Sequence, residues 1–237
     1  MLDTKGNKIT YFGHSTFSLT TPGGQVGLID PFVVNNPSTP EKLKKFSRLD
    51  AIFVSHAHGD HFADCVDLAK QHGARVFAIF ETAMWLNDKG VDKTHPMSKG
   101  GSQKFGDFEV TLTNAFHSNS IDDGGKLLYA GEPSGLIIRM PGGFTIYHAG
   151  DTCVFGDMKL IAEIYKPDVA LLPIGDNFTM GPREAAHATR LLGVKHAIPM
   201  HYGTFPPLVG TPNQFKAETK DVAGLEIHVM QPGDVLG

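Results

Sequence analysis

His56-Ala57-His58-Gly59-Asp60-His61 places three imidazoles and a carboxylate within six residues. That is a poor way to build a core and a good way to build a metal site. All four side chains are nitrogen or oxygen donors suited to Zn²⁺ and its first-row neighbours. On extended backbone, side chains two apart share a face, so His56 and His58 converge on one ion. Gly59 then allows a sharp turn that throws Asp60 and His61 towards a second position. The competing reading is a solvated histidine-rich loop. With 12 His in 237 residues, chance would produce His-x-His-x-Asp-His roughly once in several hundred such chains. The pattern reads as a metal site.

The elements that position these residues are also visible. Ala51 to Ser55 are apolar and β-favouring, a buried strand that delivers the histidines at its end. Before it, residues 8–12, 16–20 and 25–30 read as short strands, with Thr21-Pro22-Gly23-Gly24 as a hairpin turn and a short helix over 40–47. After it, the stretch from 62 is an amphipathic helix stopped by Gly73, followed by a strand (74–79) and a helix (81–90). Strands resume over 103–116 around a Gly106-Asp107 turn and end in Phe116-His117. Residues 118–132 are polar and glycine-rich and read as a loop. A hairpin turning at Pro141-Gly142-Gly143 runs into Gly150-Asp151-Thr152. Beyond a helix (156–165), a buried strand ends at Gly175-Asp176, a helix (182–192) follows, and a further strand delivers His201-Tyr202. A helix (211–220) and a strand (224–230) close the chain. His72, His148, His187 and His196 read as structural or solvated.

Ser55-His56-Ala57-His58-Gly59-Asp60-His61 after a buried strand resembles the signature of the metallo-β-lactamase superfamily. The resemblance implies a four-layer αββα sandwich, a mixed α/β fold, with a dinuclear metal site at one edge. It also implies three further ligands downstream: a His, a bridging Asp and a last His. His117, Asp151 and His201 stand at strand ends in that order, so all seven expected ligands are present between positions 56 and 201. One ion would take His56, His58 and His117, the other Asp60, His61 and His201, and Asp151 would bridge. The ions would be divalent, with Zn²⁺ the first choice and Mn²⁺, Ni²⁺ or Fe open. Asp60 and Asp151 are then the catalytic carboxylates, serving a metal-bound hydroxide. Gly13-His14-Ser15 resembles the opening hairpin of the superfamily's predicted metal-dependent hydrolases, which implies that His14 lies beside the metals or touches substrate. Asp176 and Tyr202 are further candidates for that outer role. Ile198-Pro199-Met200-His201-Tyr202-Gly203-Thr204 is similar to the branch containing ascorbate-6-phosphate lactonase and N-acylphosphatidylethanolamine phospholipase D.

Composition sets the remaining expectations. Hydrophobic residues at 41% and charged residues at 19% suit a globular protein, taken here as one domain over 1–237. No apolar run approaches the ~20 residues of a membrane span. The first residues lack a signal-like apolar segment, and two cysteines outside any Cys-x-x-Cys suggest free thiols in the cytoplasm. A net charge of −4 carries no basic footprint, which argues against nucleic acid and for a small-molecule substrate. A homo-oligomer is left open. The expected function is metal-dependent hydrolysis of a small metabolite carrying an ester, lactone or phosphodiester bond. The alternatives are a metal-dependent sensor or binding protein on the same scaffold, or a phosphodiesterase acting on nucleic acid.

Overall fold

The computed structural model describes residues 1–237. The N-terminal half supplies β1 (Lys8–Gly13), β2 (Thr16–Thr20), β3 (Val26–Ile29), β4 (Ala51–Phe53), β5 (Arg75–Ile79) and β6 (Thr94–Met97). The C-terminal half supplies β7 (Ser102–Phe105), β8 (Phe108–Asn114), a separate hairpin of β9 (Ser120–Asp123) and β10 (Lys126–Tyr129), then β11 (Ser134–Arg139), β12 (Thr145–His148), β13 (Val169–Pro173), β14 (His196–Met200) and β15 (Glu226–Ile227). The last strand, β16 (Val235–Leu236), crosses back to pair with β1. The result is two seven-stranded sheets, ordered β16-β1-β2-β3-β4-β5-β6 and β15-β14-β13-β12-β11-β8-β7. Each is antiparallel on one side and parallel on the other: β3 to β6 run parallel in the first, and β12 to β15 in the second.

Alternation along the strands makes four layers. Phe53 and Phe77 from the first sheet meet Phe108, Leu136, Ile146 and Leu171 from the second in a shared core between the sheets. Their strand neighbours point the other way. Ile52, Val76 and Ala78 pack outward against α1 (Gly59–Phe62), α2 (Cys65–His72) and α3 (Phe80–Asp88). Tyr147, Ala170 and Leu172 pack outward against α4 (Met158–Tyr165), α5 (Pro182–Leu192) and α6 (Pro212–Glu218). This is the αββα sandwich expected from the sequence. Parallel strands in both halves end at one edge of the sandwich, where a sheet of this kind collects its functional residues.

Several local readings change. The expected helix over 40–47 is a single 3₁₀ turn, Glu41–Leu43, with no buried residue to hold a longer one. The expected loop over 118–132 contains the β9–β10 hairpin. Asp123 pairs with Lys126 across Gly124-Gly125, and both glycines have positive φ, the geometry that a two-residue type I′ turn needs. The helix after the histidines is two helices, α1 and α2. The closing strand over 224–230 shrinks to Glu226–Ile227, and β6 and β16 were not foreseen.

Candidate metal centre

His56 and His58 lie on the extended segment leaving β4, and they converge as period-two alternation requires: His56 Nε2 is 3.1 Å from His58 Nδ1. Asp60 and His61 follow in the single turn of α1. Gly59 is unneeded for this change of direction. It takes helical backbone at the start of α1, and open space lies where a Cβ would go.

Asp151 comes three residues past the end of β12, and its Oδ2 is the point on which the histidines close. It lies 3.0 Å from His201 Nε2, 3.3 Å from His61 Nε2, and 3.8 Å from both His56 Nε2 and His117 Nε2. Those four imidazoles come from the β4 exit, α1, the β8 exit and the end of β14. The donor atoms fall into two groups, each within a 4.8 Å span: His56, His58 and His117 on one side, and His14, Asp60, His61 and His201 on the other. Asp151 stands between them. The floor is buried, whereas Asp60, His58 and His117 are only partly so, which leaves the centre open on one face.

Behind these side chains sits a carboxylate that the sequence reading passed over. Asp30, at the end of β3, is fully buried. Its Oδ1 accepts from Ser55 N–H at 2.8 Å, and its Oδ2 accepts from Ser55 Oγ–H at 2.7 Å and from His61 Nδ1–H at 2.8 Å. Because the Ser55 proton goes to Asp30, the 3.0 Å contact between Ser55 Oγ and His56 Nδ1 has the imidazole donating. The network therefore fixes a proton on Nδ1 of both His56 and His61 and aims both Nε2 atoms towards Asp151. One carboxylate thus orients a histidine from each group. The sequence signal was Leu28-Ile29-Asp30-Pro31, an acidic residue closing a buried strand, read only as a strand end.

His14 is placed beside the centre, as the sequence suggested, and its role can be narrowed. Its side chain has no exposed surface, so it is out of substrate's reach. Asp60 can only accept at the 3.1 Å contact between His14 Nε2 and Asp60 Oδ2, so His14 donates there. Its Nδ1 accepts from Thr204 Oγ at 3.0 Å. His14 therefore positions Asp60. Its carbonyl accepts the His201 N–H at 2.9 Å, tying the two sheets together at the site. His14, Asp30 and His201 all hold left-handed φ (57°, 48° and 54°), a strain that persists where surrounding structure enforces it. Asn119 Oδ1 accepts from Ala57 N–H at 2.8 Å and so pins the histidine segment from outside. His148 is packed, not part of the cluster: Nε2–H donates to Ser15 O and Nδ1 accepts from Gly150 N–H.

The structure does not bring in two other candidates. Asp176 is exposed, and its carboxylate accepts from Asn177 N–H in its own turn. Tyr202 packs on the outer core beneath the second sheet, and burial raises its phenol pKa. Both lie in turns beyond their strands, β13 ending at Pro173 and β14 at Met200, and the left-handed backbone of Asp176 (φ 68°) and His201 (φ 54°) redirects the chain there.

Residues 26–202 match the β-lactamase superfamily domain family. The chain belongs to the metallo-β-lactamase superfamily. Among curated relatives, a protein of Rubrobacter xylanophilus named UPF0173 metal-dependent hydrolase is 55% identical over 234 residues, covering 98% of this chain and 97% of its own. One of the same name from Koribacter versatilis is 46% identical over 233 residues, covering 98% and 99%. Among solved structures, a metallo hydrolase from the archaeon Ignicoccus hospitalis superposes with a TM-score of 0.86 at 36% identity, covering 97% of each chain.

Whether metal ions suit this superfamily member's own residues is answered by its unsatisfied atoms. His61 Nε2, Asp151 Oδ1 and both ring nitrogens of His201 are buried without a hydrogen-bond partner. Four such atoms at one place are costly unless something binds them, and imidazole nitrogens with carboxylate oxygens are the donor set of a divalent transition ion. The residues fit. Without an ion, burial would raise the Asp151 pKa, but the imidazoles of His201 and His61 hold it well below the carboxylate range. Burial also opposes a charge on His61, yet Asp151 and Asp30 hold its pKa well above the usual value. Burial keeps His56, His58 and His117 low, and therefore neutral and ready to ligate. Metal binding must displace the His61 proton.

Proposed function

We propose that this chain, a metal-dependent hydrolase of the metallo-β-lactamase superfamily, cleaves the acyl bond of a small ester or lactone with two divalent ions. His56, His58 and His117 would hold one ion and Asp60, His61 and His201 the other, with Asp151 shared. The observation that carries the reading is the convergence of four imidazole nitrogens within 3.8 Å of Asp151 Oδ2. Two such ions, when bound, acidify a water towards pKa ~7 and take up the charge that develops on the scissile carbonyl oxygen. The protein's own contribution is to position that water. Asp60 gives Oδ2 to His14 and leaves Oδ1 to accept a hydrogen bond from the attacking water, aiming its lone pair at the substrate. Asp30, Ser55 and His14 fix the orientation of the groups around it.

Acyl over phosphoryl chemistry is favoured by the charges. No Lys or Arg pairs or hydrogen-bonds with any of the seven metal-centre residues, and phosphoryl-transfer sites commonly add such cations to their metals. The unpaired thiols of buried Cys65 and exposed Cys153 fit a reducing compartment such as the cytoplasm. No helix is long and apolar enough to cross a membrane.

The test is a panel of esters, lactones, thioesters and phosphodiesters offered to metal-loaded and metal-free protein. Turnover of carbonyl substrates that needs metal, and that falls ~10²-fold or more in Asp60→Asn, is the expected result. Turnover confined to phosphodiesters, or full activity in Asp60→Asn, would reject the reading.

A further inference from the structure

We propose that His196, Glu226 and His228 form a separate site for a single divalent transition ion of the zinc or nickel class. The site lies at the opposite end of the second sheet from the metal centre. β14 begins at His196 and ends at Met200, directly before His201. Five residues of strand separate the two places by ~16 Å, so no side chain is shared. The ligand geometry follows from strand register. β14 and β15 run parallel with His196 opposite Glu226, and His228, two residues beyond Glu226, points to the same face.

The donors meet closely. His196 Nδ1 is 3.1 Å from His228 Nε2, and Glu226 Oε2 is 3.5 Å from His196 Nδ1. One donor atom from each residue lies within a common 4.8 Å span. An ion ~2.0–2.1 Å from each of two ligands in tetrahedral array holds those ligands about 3.3 Å apart, within a few tenths of an ångström of both separations. Two imidazoles and a carboxylate are a ligand set such ions take. The hydrogen-bonding of the two rings is with each other, so neither nitrogen face is committed elsewhere. Burial keeps His228 below the ordinary histidine range and thus neutral. Glu226 Oε2 also faces the Met1 amine at 3.3 Å, a cation that an incoming ion would displace. On the His196 side the site borders an open cleft of ≈ 340 Å³, which Lys5 and Lys195 also line.

The site has a structural use. β15 is only two residues long and holds the edge of the sheet with little backbone pairing. An ion shared by β14 and β15 would clamp that edge and stabilise the fold by mass action.

The test uses protein whose metal centre is already loaded with Zn²⁺ and freed of excess ion. Titrating further Zn²⁺ calorimetrically should show one additional ion per chain and a raised thermal midpoint in the wild type. Both effects should disappear in His196→Ala and in His228→Ala, which should keep the metal already bound near Asp151. Because either variant could weaken the sheet edge, anomalous diffraction at the zinc edge from wild-type crystals gives a second reading, with a peak expected between His196 and His228. No further ion in the wild type, equal uptake in both variants, or no such peak would overturn the proposal and leave two imidazoles that merely hydrogen-bond each other.

Discussion

Replacing Asp30 by Asn is the most informative single change, because it alters one charge behind both halves of the metal centre without altering shape. Asp30 is fully buried and accepts from Ser55 N–H, Ser55 Oγ–H and His61 Nδ1–H. Asn tolerates the left-handed backbone there (φ 48°), so misfolding at that residue is not expected. An amide, however, offers one acceptor oxygen where the carboxylate offers two. If its NH₂ faces Ser55 N–H, two donors oppose each other, at about 1–3 kcal/mol. If its NH₂ faces His61, the ring must move its proton to Nε2, the atom 3.3 Å from Asp151 Oδ2, and can no longer ligate there. Loss of a group that orients a ligand in this way costs 10–100-fold in metal affinity, or about 1.4–2.7 kcal/mol. Both ions should weaken, since His56 is oriented through Ser55 by the same carboxylate. Chelator competition and denaturant unfolding of Asp30→Asn, beside the exposed control Asp88→Asn, measure both effects. Metal affinity equal to wild type in Asp30→Asn would refute the role assigned to Asp30.

Other changes follow from the same geometry. A Cβ on Gly175 would stand 2.0 Å from the His201 carbonyl oxygen, so Gly175→Ala should push His201 from its place, cost ~1–3 kcal/mol or more, and lower metal retention; unchanged metal content would contradict this. In the metal-free chain, burial and then His201 drive the His14 pKa down to about 4 from the ordinary 6.5. The unfolded chain then binds more protons between those values, so stability is present above about pH 6.5 and is lost as pH falls through about 4, by up to ~3 kcal/mol. Denaturation of metal-free His14→Asn across that range should show a shallower slope than wild type, and equal slopes would count against it. The raised pKa of His61 acts outside this window, because its contribution is complete below 6.5 and fades only at higher pH. Metal loading in a weakly buffered solution should release a proton from His61, and titration calorimetry in buffers of different ionisation enthalpy would detect its absence.

The sequence made the site legible where chemistry is concentrated in one local run. His56 to His61 announce themselves by spacing, and His117, Asp151 and His201 stand where buried strands end, so a linear reading singles out side chains that the fold brings together. Asp30 was less visible because a lone carboxylate at a strand end also serves as a turn residue; only the tertiary approach of Ser55 and His61 reveals its task. His14 and Thr204 lie 190 positions apart, a pairing that no local pattern encodes. The layers followed from alternation, but short elements did not. Thr94–Met97 reads Thr-His-Pro-Met, and its proline suits only an edge strand, the place β6 occupies. Gly124-Gly125 did carry the hairpin signal, outweighed by the polarity of the residues around it.

Whether two ions share Asp151 is tested most directly by anomalous diffraction from metal-loaded crystals at the absorption edge of the bound metal. Two peaks are expected to flank the Asp151 carboxylate, one within about 2.0–2.2 Å of His56, His58 and His117 and the other within the same distance of Asp60, His61 and His201. A single peak there, or a second ion held by His14 in place of Asp60, would contradict it.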